Sequence, residues 1–204
     1  MASARSSDAL RAEAPAALAL GRCLARPATL VTGRLLCVDG PAGSGKTTLA
    51  EAVVTLARER LAAVTLLHLD DLYEGWGGLE GVGPRLRDDV VQPLAAGRPG
   101  RYRRWDWAGD RWAEEHVVDP VDLLVLEGVG AGALEYADRI GLLVWVEAPR
   151  ALRLARGIAR DGAALRPRWE AWLDAEEAHL ARQRTRARAD LVVDGAGPGP
   201  VTAP

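Results

Sequence analysis

The stretch 34-RLLCVDGPAGSGKT-47 decides the fold. It begins as an apolar run typical of a buried strand, and it ends in 40-GPAGSGKT-47, which matches the pattern G-x-x-x-x-G-K-[ST]. A loop of this kind turns successive backbone N–H groups toward phosphate oxygens, and the positive end of the following helix adds to the attraction. The stretch therefore predicts a strand, a phosphate-binding loop and a helix in direct succession.

Lys46, in this loop, is the only lysine of the chain, although Lys and Arg together number 26. Scarce Lys with no Phe and no Asn is typical of G+C-rich codon usage, so a surviving lysine is informative. A compact ammonium suits this loop better than a planar guanidinium does. We expect Lys46 to bind the terminal phosphates and Thr47 to ligate Mg²⁺. The other predicted nucleotide-binding residues are Gly40, Ala42, Gly43, Ser44, Gly45 and Thr48.

Apolar strands alternate with helices along the chain, which predicts an α/β fold: a parallel sheet of about five strands with helices on both faces. The predicted strands are 34–39, 63–70, 122–128, 141–149 and 190–195. The predicted helices are 47–61, 86–97, 149–161 and 167–189. We expect an N-terminal tip and short helix over 1–27, one catalytic domain over 28–195, and a disordered tail over 196–204.

Composition excludes several classes of protein. A net charge of -2 over 204 residues argues against a nucleic-acid partner, and no apolar run is long enough to span a membrane. Two cysteines make neither a disulfide scaffold nor a zinc site, so we expect a cytoplasmic protein. The lack of Asn rules out the guanine-reading Asn-Lys-x-Asp element of GTPases. The expected partner is a small-molecule acceptor, and a homo-oligomer is left open.

Acidic residues end the predicted strands, and in a parallel sheet those ends share one edge. Asp70 is our candidate for the base that takes a proton from an acceptor hydroxyl. We assign Asp71 to a helix cap and Glu127 to the metal. His68, within an apolar strand, is predicted to be a buried structural histidine.

Five elements, taken together, resemble the uridine kinase branch of the P-loop kinases. They are the loop 40–47, the D-x-x-Y element 70–73, the triplet 105-WDW-107, the strand 123-LLVLEG-128 and the stretch 152-LRLARGIARD-161. The resemblance implies a three-layer P-loop NTPase fold with a small helical lid at about 155–170. It also implies ATP and Mg²⁺ as cofactors and transfer of the γ-phosphate to a nucleoside-like acceptor.

Carried over to this sequence, the resemblance makes Lys46, Asp70 and Arg160 catalytic and places Thr47, Asp70 and Glu127 at the metal. The substrate contacts that it implies are Tyr73 and Trp105, with Arg166 or Arg168 in the lid; Trp76 and Asp106 are further candidate substrate-binding residues.

The acceptor side departs from the family pattern at two places. Asp110 stands near the position of the histidine that reads the pyrimidine, and glycines follow the D-x-x-Y element where the family has an aspartate for the ribose hydroxyls. The acids left for that role are Glu74, Glu80, Asp88 and Asp89. Other acceptors therefore stay open, namely a nucleoside monophosphate, pantothenate or a sugar, as does a nucleotide-binding ATPase or pseudokinase module.

Tryptophans crowd the middle segment, where they could stack a planar base or fill a core that has no Phe. For Trp107 and Trp112 both interpretations are open. Trp169 and Trp172 are predicted to belong to a packing stripe on their helix, together with Leu173, Glu176 and His179.

Overall fold

A computed structural model describes residues 7–197 of the chain, and side chains from residue 12 onward. The strands, in chain order, are β1 (Arg34–Asp39), β2 (Val64–His68), β3 (Gly100–Asp106), β4 (Arg111–Val118), β5 (Leu123–Glu127), β6 (Leu142–Glu147) and β7 (Leu191–Asp194). The α-helices are α1 (Ser7–Leu24), α2 (Lys46–Arg58), α3 (Leu79–Leu86), α4 (Gln92–Ala95), α5 (Arg150–Asp161), α6 (Arg166–Gln183) and α7 (Thr185–Arg188).

Five strands form one parallel sheet in the order β2-β5-β1-β6-β7. Its central strands, β5, β1 and β6, are buried on both faces because successive side chains enter different cores. Leu35 and Cys37 of β1 pack into one core, and Leu36 and Val38 pack into the other. Helices α1 and α2 cover the second core, and α3 and α6 contribute to the first. The predicted three-layer α/β fold is confirmed.

Strand β1 lies in the middle of the sheet, between β5 and β6. The chain leaves β1 toward the edge strand β2 and later returns to β6 on the opposite side, so the strand order reverses beside β1. Ligands of open α/β sheets bind at such a reversal, beyond the carboxyl ends of the strands. Register brings Val38 and His68 level with Glu127 across the neighbouring strands, which places the predicted site at that edge.

The segment between β2 and β5 contains an element that the sequence patterns did not predict. Strands β3 and β4 form an antiparallel hairpin separate from the main sheet, with a register shift between Arg103 and Trp105. Both strands mix charged and aromatic residues without a regular alternation of apolar and polar positions, so the pattern that predicts a half-buried strand is missing. The helix predicted over 86–97 begins earlier, at α3, and passes through a π-helical turn, Arg87–Val91, into α4.

Three smaller differences have local causes. Strand β2 ends at His68, because Leu69–Asp71 turn into a 3₁₀ helix. The helix predicted over 167–189 divides at Arg184, whose backbone is left-handed, into α6 and α7. Helix α1 has 18 residues and is longer than predicted, while residues 198–204 of the predicted tail lie outside the described residues. None of the helices within residues 7–197 is long and apolar enough to cross a membrane.

Candidate active site

The phosphate loop joins the end of β1 to the start of α2, and its backbone requires glycine at two close approaches. Gly40 has φ 140°, and a Cβ there would lie 2.0 Å from the Val146 carbonyl oxygen. Gly43 has φ 76°, and a Cβ there would lie 2.7 Å from the Arg153 carbonyl oxygen. Both positions combine a left-handed conformation with no room for a side chain. The loop shape is therefore set by β6 and α5 as well as by its own sequence.

Asp39, at the end of β1, holds the start of the phosphate loop through its carboxylate. It is fully buried, and its Oδ1 accepts hydrogen bonds from the backbone N–H groups of Gly40 at 2.6 Å and Gly130 at 2.8 Å. Its Oδ2 accepts a third, from Gly132 at 2.9 Å. Burial raises the pKa of Asp39, and the three backbone donors act against that rise. Asp39 thus ties β1 to the segment after β5 and is structural, although it lies at the predicted edge.

A buried ion pair between α5 and α6 also holds the phosphate loop. Glu176 of α6 accepts a hydrogen bond from the backbone N–H of Ala42 at 2.7 Å, and it pairs with Arg153 of α5 at 2.6 Å. The two side chains are only 1% and 10% exposed. Sequence reasoning placed Glu176 in a packing stripe and missed this role. An acid within an otherwise apolar helical stripe is itself the signal, because a buried charge needs a partner.

Lys46 and Thr47 begin α2 at the loop. The Lys46 ammonium is nearly buried and donates to the Pro41 carbonyl at 3.0 Å, and the Thr47 hydroxyl donates to Glu127 Oε1 at 3.1 Å. Most of the predicted nucleotide-binding residues line the cleft, namely Ala42, Gly43, Gly45, Lys46, Thr47 and Thr48. Gly40 and Ser44 also belong to the loop, but they are buried and do not line the cleft.

Glu127 is the centre of a polar group at the end of β5. Besides Thr47, it contacts His68 Nδ1 at 2.5 Å, and this hydrogen bond raises the pKa of His68. The prediction that His68 is a buried structural histidine is wrong: its side chain is 38% exposed. The residue reaches Glu127 because strands β2 and β5 pair in register at these two positions.

The oxygen donors at this point fit Mg²⁺. Thr47 and Glu127 are in hydrogen-bond contact, and the carboxyl of Asp70 is close enough that the negative charge of Glu127 helps to raise its pKa, after burial as the main cause. Mg²⁺ prefers oxygen ligands and usually keeps several waters, so one hydroxyl and one or two carboxylates suffice. Within the described residues no cluster of three or more His, Cys, Asp or Glu side chains forms a closed metal cage.

A large cleft of about 1260 Å³ runs across the carboxyl edge of the sheet. At one end it is lined by Ala12, Ala14 and Pro15 of α1 and by residues 193–197, at and beyond the end of β7. The phosphate loop forms its middle. At the other end lie Asp70, the turn between α5 and α6, and a group of aromatic side chains. Asp70 faces this cleft, whereas Asp71 does not line it.

The arginines of α5 and α6 divide into cleft-facing and outward-facing residues. Arg160 lines the cleft, where Asp161 holds its guanidinium through two contacts of 2.8 and 3.1 Å. Arg168 also lines the cleft. Arg166 does not, because it faces outward toward Glu170 at 3.5 Å, which corrects its predicted substrate role.

Arg156 is a cleft residue that sequence reasoning missed. Its guanidinium donates to the carbonyls of Gly43 at 3.1 Å and Gly195 at 3.0 Å, so it joins the phosphate loop to the segment after β7. Arg153, Arg156 and Arg160 are spaced by three and four positions on one helix, which places them on the same face. That spacing could have identified Arg156.

Two predicted substrate residues lie away from the cleft. Trp105 is buried in the hairpin, where it packs edge-to-face on Trp112 with ring centroids 4.9 Å apart. Asp106 accepts a hydrogen bond from the Ala108 N–H at 3.1 Å and so stabilises the hairpin turn. Trp107, just past the end of β3, lines the cleft instead, and its indole N–H donates to the Asp70 carbonyl at 2.9 Å. Strand geometry directs Trp105 inward, and the turn redirects Trp107.

Tyr73 and Trp76 do line the cleft. The Tyr73 hydroxyl is buried and donates to the Val129 carbonyl at 2.7 Å, so this residue offers no free hydroxyl to a substrate. Trp76 is half-buried and packs edge-to-face against Trp107, Trp169 and Trp172. Trp169 and Trp172, predicted to serve packing, also line the cleft.

Comparison with known proteins agrees with this architecture. No protein-family model matches the chain, and no curated protein matches it. A solved structure described as a "Possible Uridine Kinase" from Bacillus stearothermophilus has a TM-score of 0.64 at 22% identity, covering 88% of this chain and 97% of that one. A "putative fructose transport system kinase" from Silicibacter sp. TM1040 has a TM-score of 0.50 at 20% identity, covering 95% and 93%. The chain shares the fold of these structures.

Within this fold, the acids considered for ribose binding face away from the cleft. Glu74 lies 3.8 Å from Arg85, and Asp88 pairs with Arg87 at 2.7 Å on the surface. Glu80 pairs with Arg182. None of these acids lines the cleft, nor do Asp89 and Asp110.

Proposed function

We propose that the protein is an ATP-dependent small-molecule kinase that transfers the γ-phosphate of Mg-ATP to a hydroxyl of a nucleoside-like acceptor. One observation carries the proposal: the glycine-rich loop with Lys46, the Thr47–Glu127 pair and Asp70 all face one cleft. The loop supplies donors for phosphate, and Asp70 supplies a carboxylate beside it. Phosphoryl transfer needs these parts and little else.

The nucleotide would bind with its phosphates in the loop and its base toward α1 and residues 193–197. Backbone N–H groups and the N-terminus of α2 would hold the phosphate oxygens. Lys46 donates to the Pro41 carbonyl in the structure and would turn its ammonium to the terminal phosphates. Thr47, Glu127 and Asp70 would hold Mg²⁺, which when bound offsets the charge of the transferring group.

We propose Asp70, which lines the cleft, as the general base toward the acceptor hydroxyl. The hydroxyl oxygen forms a bond to the γ-phosphorus, the bond from that phosphorus to the bridging oxygen of ADP breaks, and the hydroxyl proton passes to the Asp70 carboxylate. The raised pKa of Asp70, caused by burial and then by Glu127, makes its carboxylate a stronger proton acceptor.

We propose that the turn between α5 and α6 is the lid. It begins at Gly162, which has φ 98°, and it carries Arg160 and Arg168 on its two flanks. Closure would release Arg160 from Asp161 and bring both guanidinium groups toward the transferring phosphoryl. Their charge acts most strongly once water is excluded.

We include a cytoplasmic location in the proposal. Cys23 and Cys37 are buried free thiols, as expected in a reducing compartment.

Purified protein with Mg-ATP, tested on nucleosides, nucleoside monophosphates, pantothenate and sugars, should give a phosphorylated acceptor and one ADP per product. A matched control is the same panel without Mg²⁺. ADP formed at the same rate with and without acceptor would contradict the kinase and favour a nucleotide-binding ATPase.

A further inference from the structure

We propose that the acceptor is a hydroxyl compound with a planar ring, recognised by stacking on a tryptophan wall and not through a vicinal diol. The proposal rests on the kinase function proposed above and names the class of its acceptor. It predicts that ring-free sugars are poor ligands, and that a nucleoside lacking its 2′-hydroxyl binds as well as one that has it.

The tryptophan wall consists of Trp76, Trp107, Trp169 and Trp172, all of which line the cleft. Trp76 is its hub, with ring centroids 5.8 Å from Trp107, 6.1 Å from Trp169 and 5.9 Å from Trp172. The interplanar angles of 74° to 82° are edge-to-face. Trp169 and Trp172 are almost fully buried, whereas Trp107 is 41% exposed. The exposed indole is therefore held by a rigid aromatic base and presents its surface to the cleft.

The wall is connected directly to the proposed base. The Trp107 indole N–H donates to the backbone carbonyl of Asp70 at 2.9 Å. A planar ring stacked on Trp107 would therefore lie beside Asp70, and a hydroxyl attached to that ring through a short linker can reach the carboxylate. This contact joins recognition of the ring to deprotonation of the hydroxyl.

Carboxylate and amide groups that could accept hydrogen bonds from a vicinal diol are either missing from the wall or already engaged. Among the described residues that line the cleft, the carboxylates are Asp70, Glu127, Asp161 and Asp194. Asp70 and Glu127 belong to the transfer site, Asp161 binds Arg160 and the Trp169 indole N–H, and Asp194 accepts from Ala196. The chain has no Asn, and neither of its glutamines lines the cleft.

A polyol bound here would lose water and find no free carboxylate or amide to accept its hydroxyl protons, which is unfavourable. A planar ring loses little on leaving water and gains contact with indole surfaces. The difference favours ring-bearing alcohols over free sugars. It also makes the ribose diol dispensable, because no carboxylate or amide at the wall is free to accept its hydrogen bonds.

The test compares four named probes: uridine, 2′-deoxyuridine, ribose and fructose. Binding is measured by calorimetry and tryptophan fluorescence with a non-hydrolysable ATP analogue, and phosphorylation is measured separately with Mg-ATP. We expect uridine and 2′-deoxyuridine to bind within about threefold of each other, and the two sugars to show no saturable binding. Preferential binding of a sugar, absence of binding by both nucleosides, or a loss of about 100-fold without the 2′-hydroxyl would overturn the inference.

Variants of the hairpin locate the recognition surface. Trp107→Ala should raise the KM for the ring-bearing acceptor by about 5- to 150-fold, the range that follows from losing one stacking partner, with the KM for ATP unchanged. Trp107→Phe should restore most of the affinity. The matched control is Trp112→Ala, on the same hairpin but outside the cleft, which should leave the acceptor KM unchanged.

Equal effects of Trp107→Ala and Trp112→Ala on acceptor KM would contradict the inference, because they would indicate a general disturbance of the hairpin. The binding and transfer measurements fail separately. Ring binding without phosphorylation would reject the kinase and keep the wall, whereas phosphorylation of ring-free sugars would keep the kinase and reject the wall.

Discussion

The two ends of the cleft are built in different ways. Around the phosphate loop, polar contacts hold the backbone: Asp39 accepts from the N–H of Gly40, and Glu176, paired with Arg153, accepts from the N–H of Ala42. At the acceptor end the cleft is lined mainly by indole rings that pack on one another, and few polar groups are free. The donor end is thus fixed by hydrogen bonds to main chain, and the acceptor end by the shape of side chains.

This difference separates the end of the cleft that would serve any acceptor from the end that would select among acceptors. A backbone cradle for phosphate does the same task for any acceptor, so its requirements are strict and local. The tryptophan wall selects by surface shape, and it can change without disturbing the loop. We therefore expect substitutions at the donor end to affect every substrate, and substitutions at the wall to affect acceptor binding alone.

Apart from loss of the proposed base Asp70, the largest expected effect is that of Lys46→Arg. A guanidinium is planar and bulky, and the lysine here is nearly buried against the Pro41 carbonyl. We expect kcat/KM to fall by roughly 10²-fold or more for all acceptors. Steady-state kinetics with two different acceptors measures this. A loss confined to one acceptor would show that Lys46 does not belong to a general donor site.

His68→Leu should weaken the metal site. It removes the group that holds Glu127 at 2.5 Å, and loss of a partner that orients a metal ligand typically costs about 10- to 100-fold in metal affinity. The half-saturating Mg²⁺ concentration should rise by roughly 10-fold, and Mn²⁺ binding measured by calorimetry should weaken in parallel. His68→Asn keeps a donor at this position and should recover part of the loss. Unchanged Mn²⁺ affinity would argue against Glu127 as a ligand.

Glu176→Gln tests the buried Glu176–Arg153 ion pair that holds the phosphate loop. It leaves the Arg153 guanidinium without a counter-charge in a buried position, so Tm should fall by roughly 5–10 °C. The KM for ATP should also rise, because Ala42 is held less firmly. Asp174→Asn, which disrupts the exposed Arg150–Asp174 pair between the same two helices, is the control and should change Tm very little. Equal changes for both variants would contradict this role of the buried ion pair.

The smallest expected effect concerns the stability cost of Asp70. Partial desolvation, and then the charge of Glu127, raises the pKa of Asp70, so its ionisation increasingly destabilises the folded protein as the pH rises from the ordinary aspartate pKa to the raised one. Asp70→Asn should therefore raise Tm at mildly alkaline pH, by about 1–2 °C because the carboxylate is open to the cleft. The difference should shrink as the pH falls through the folded pKa. Thermal unfolding across pH measures it, and a lower Tm for the variant at alkaline pH would contradict this.

Contiguous signals account for most of what the sequence predicted correctly. The loop 40–47 predicts the strand before it and the helix after it, and five apolar runs correspond to the five strands of the parallel sheet. These patterns work because each is complete within a few residues. The roles of Lys46, Thr47, Asp70 and Glu127 stay predictions, although the structure places all four at one cleft.

The errors concern residues whose surroundings come from distant parts of the chain. The WDW triplet gave no means to choose between Trp105 and Trp107, because the choice depends on where β3 ends and the turn begins. Glu176 lies 134 positions from Ala42, so a local pattern shows its helical face but not its partner. The hairpin itself was missed because its strands mix charged and aromatic residues without a regular alternation of apolar and polar positions.

We propose that the nucleotide-binding end and the acceptor-binding end of the cleft meet at Asp70. Asp70→Asn tests it most directly, with calorimetric binding of a non-hydrolysable ATP analogue and of a ring-bearing acceptor measured beside the rate of phosphoryl transfer. We predict that both ligands bind within about threefold of wild type while transfer falls by roughly 10²- to 10⁴-fold, the typical contribution of a general base. Transfer at the wild-type rate in this variant would contradict the claim.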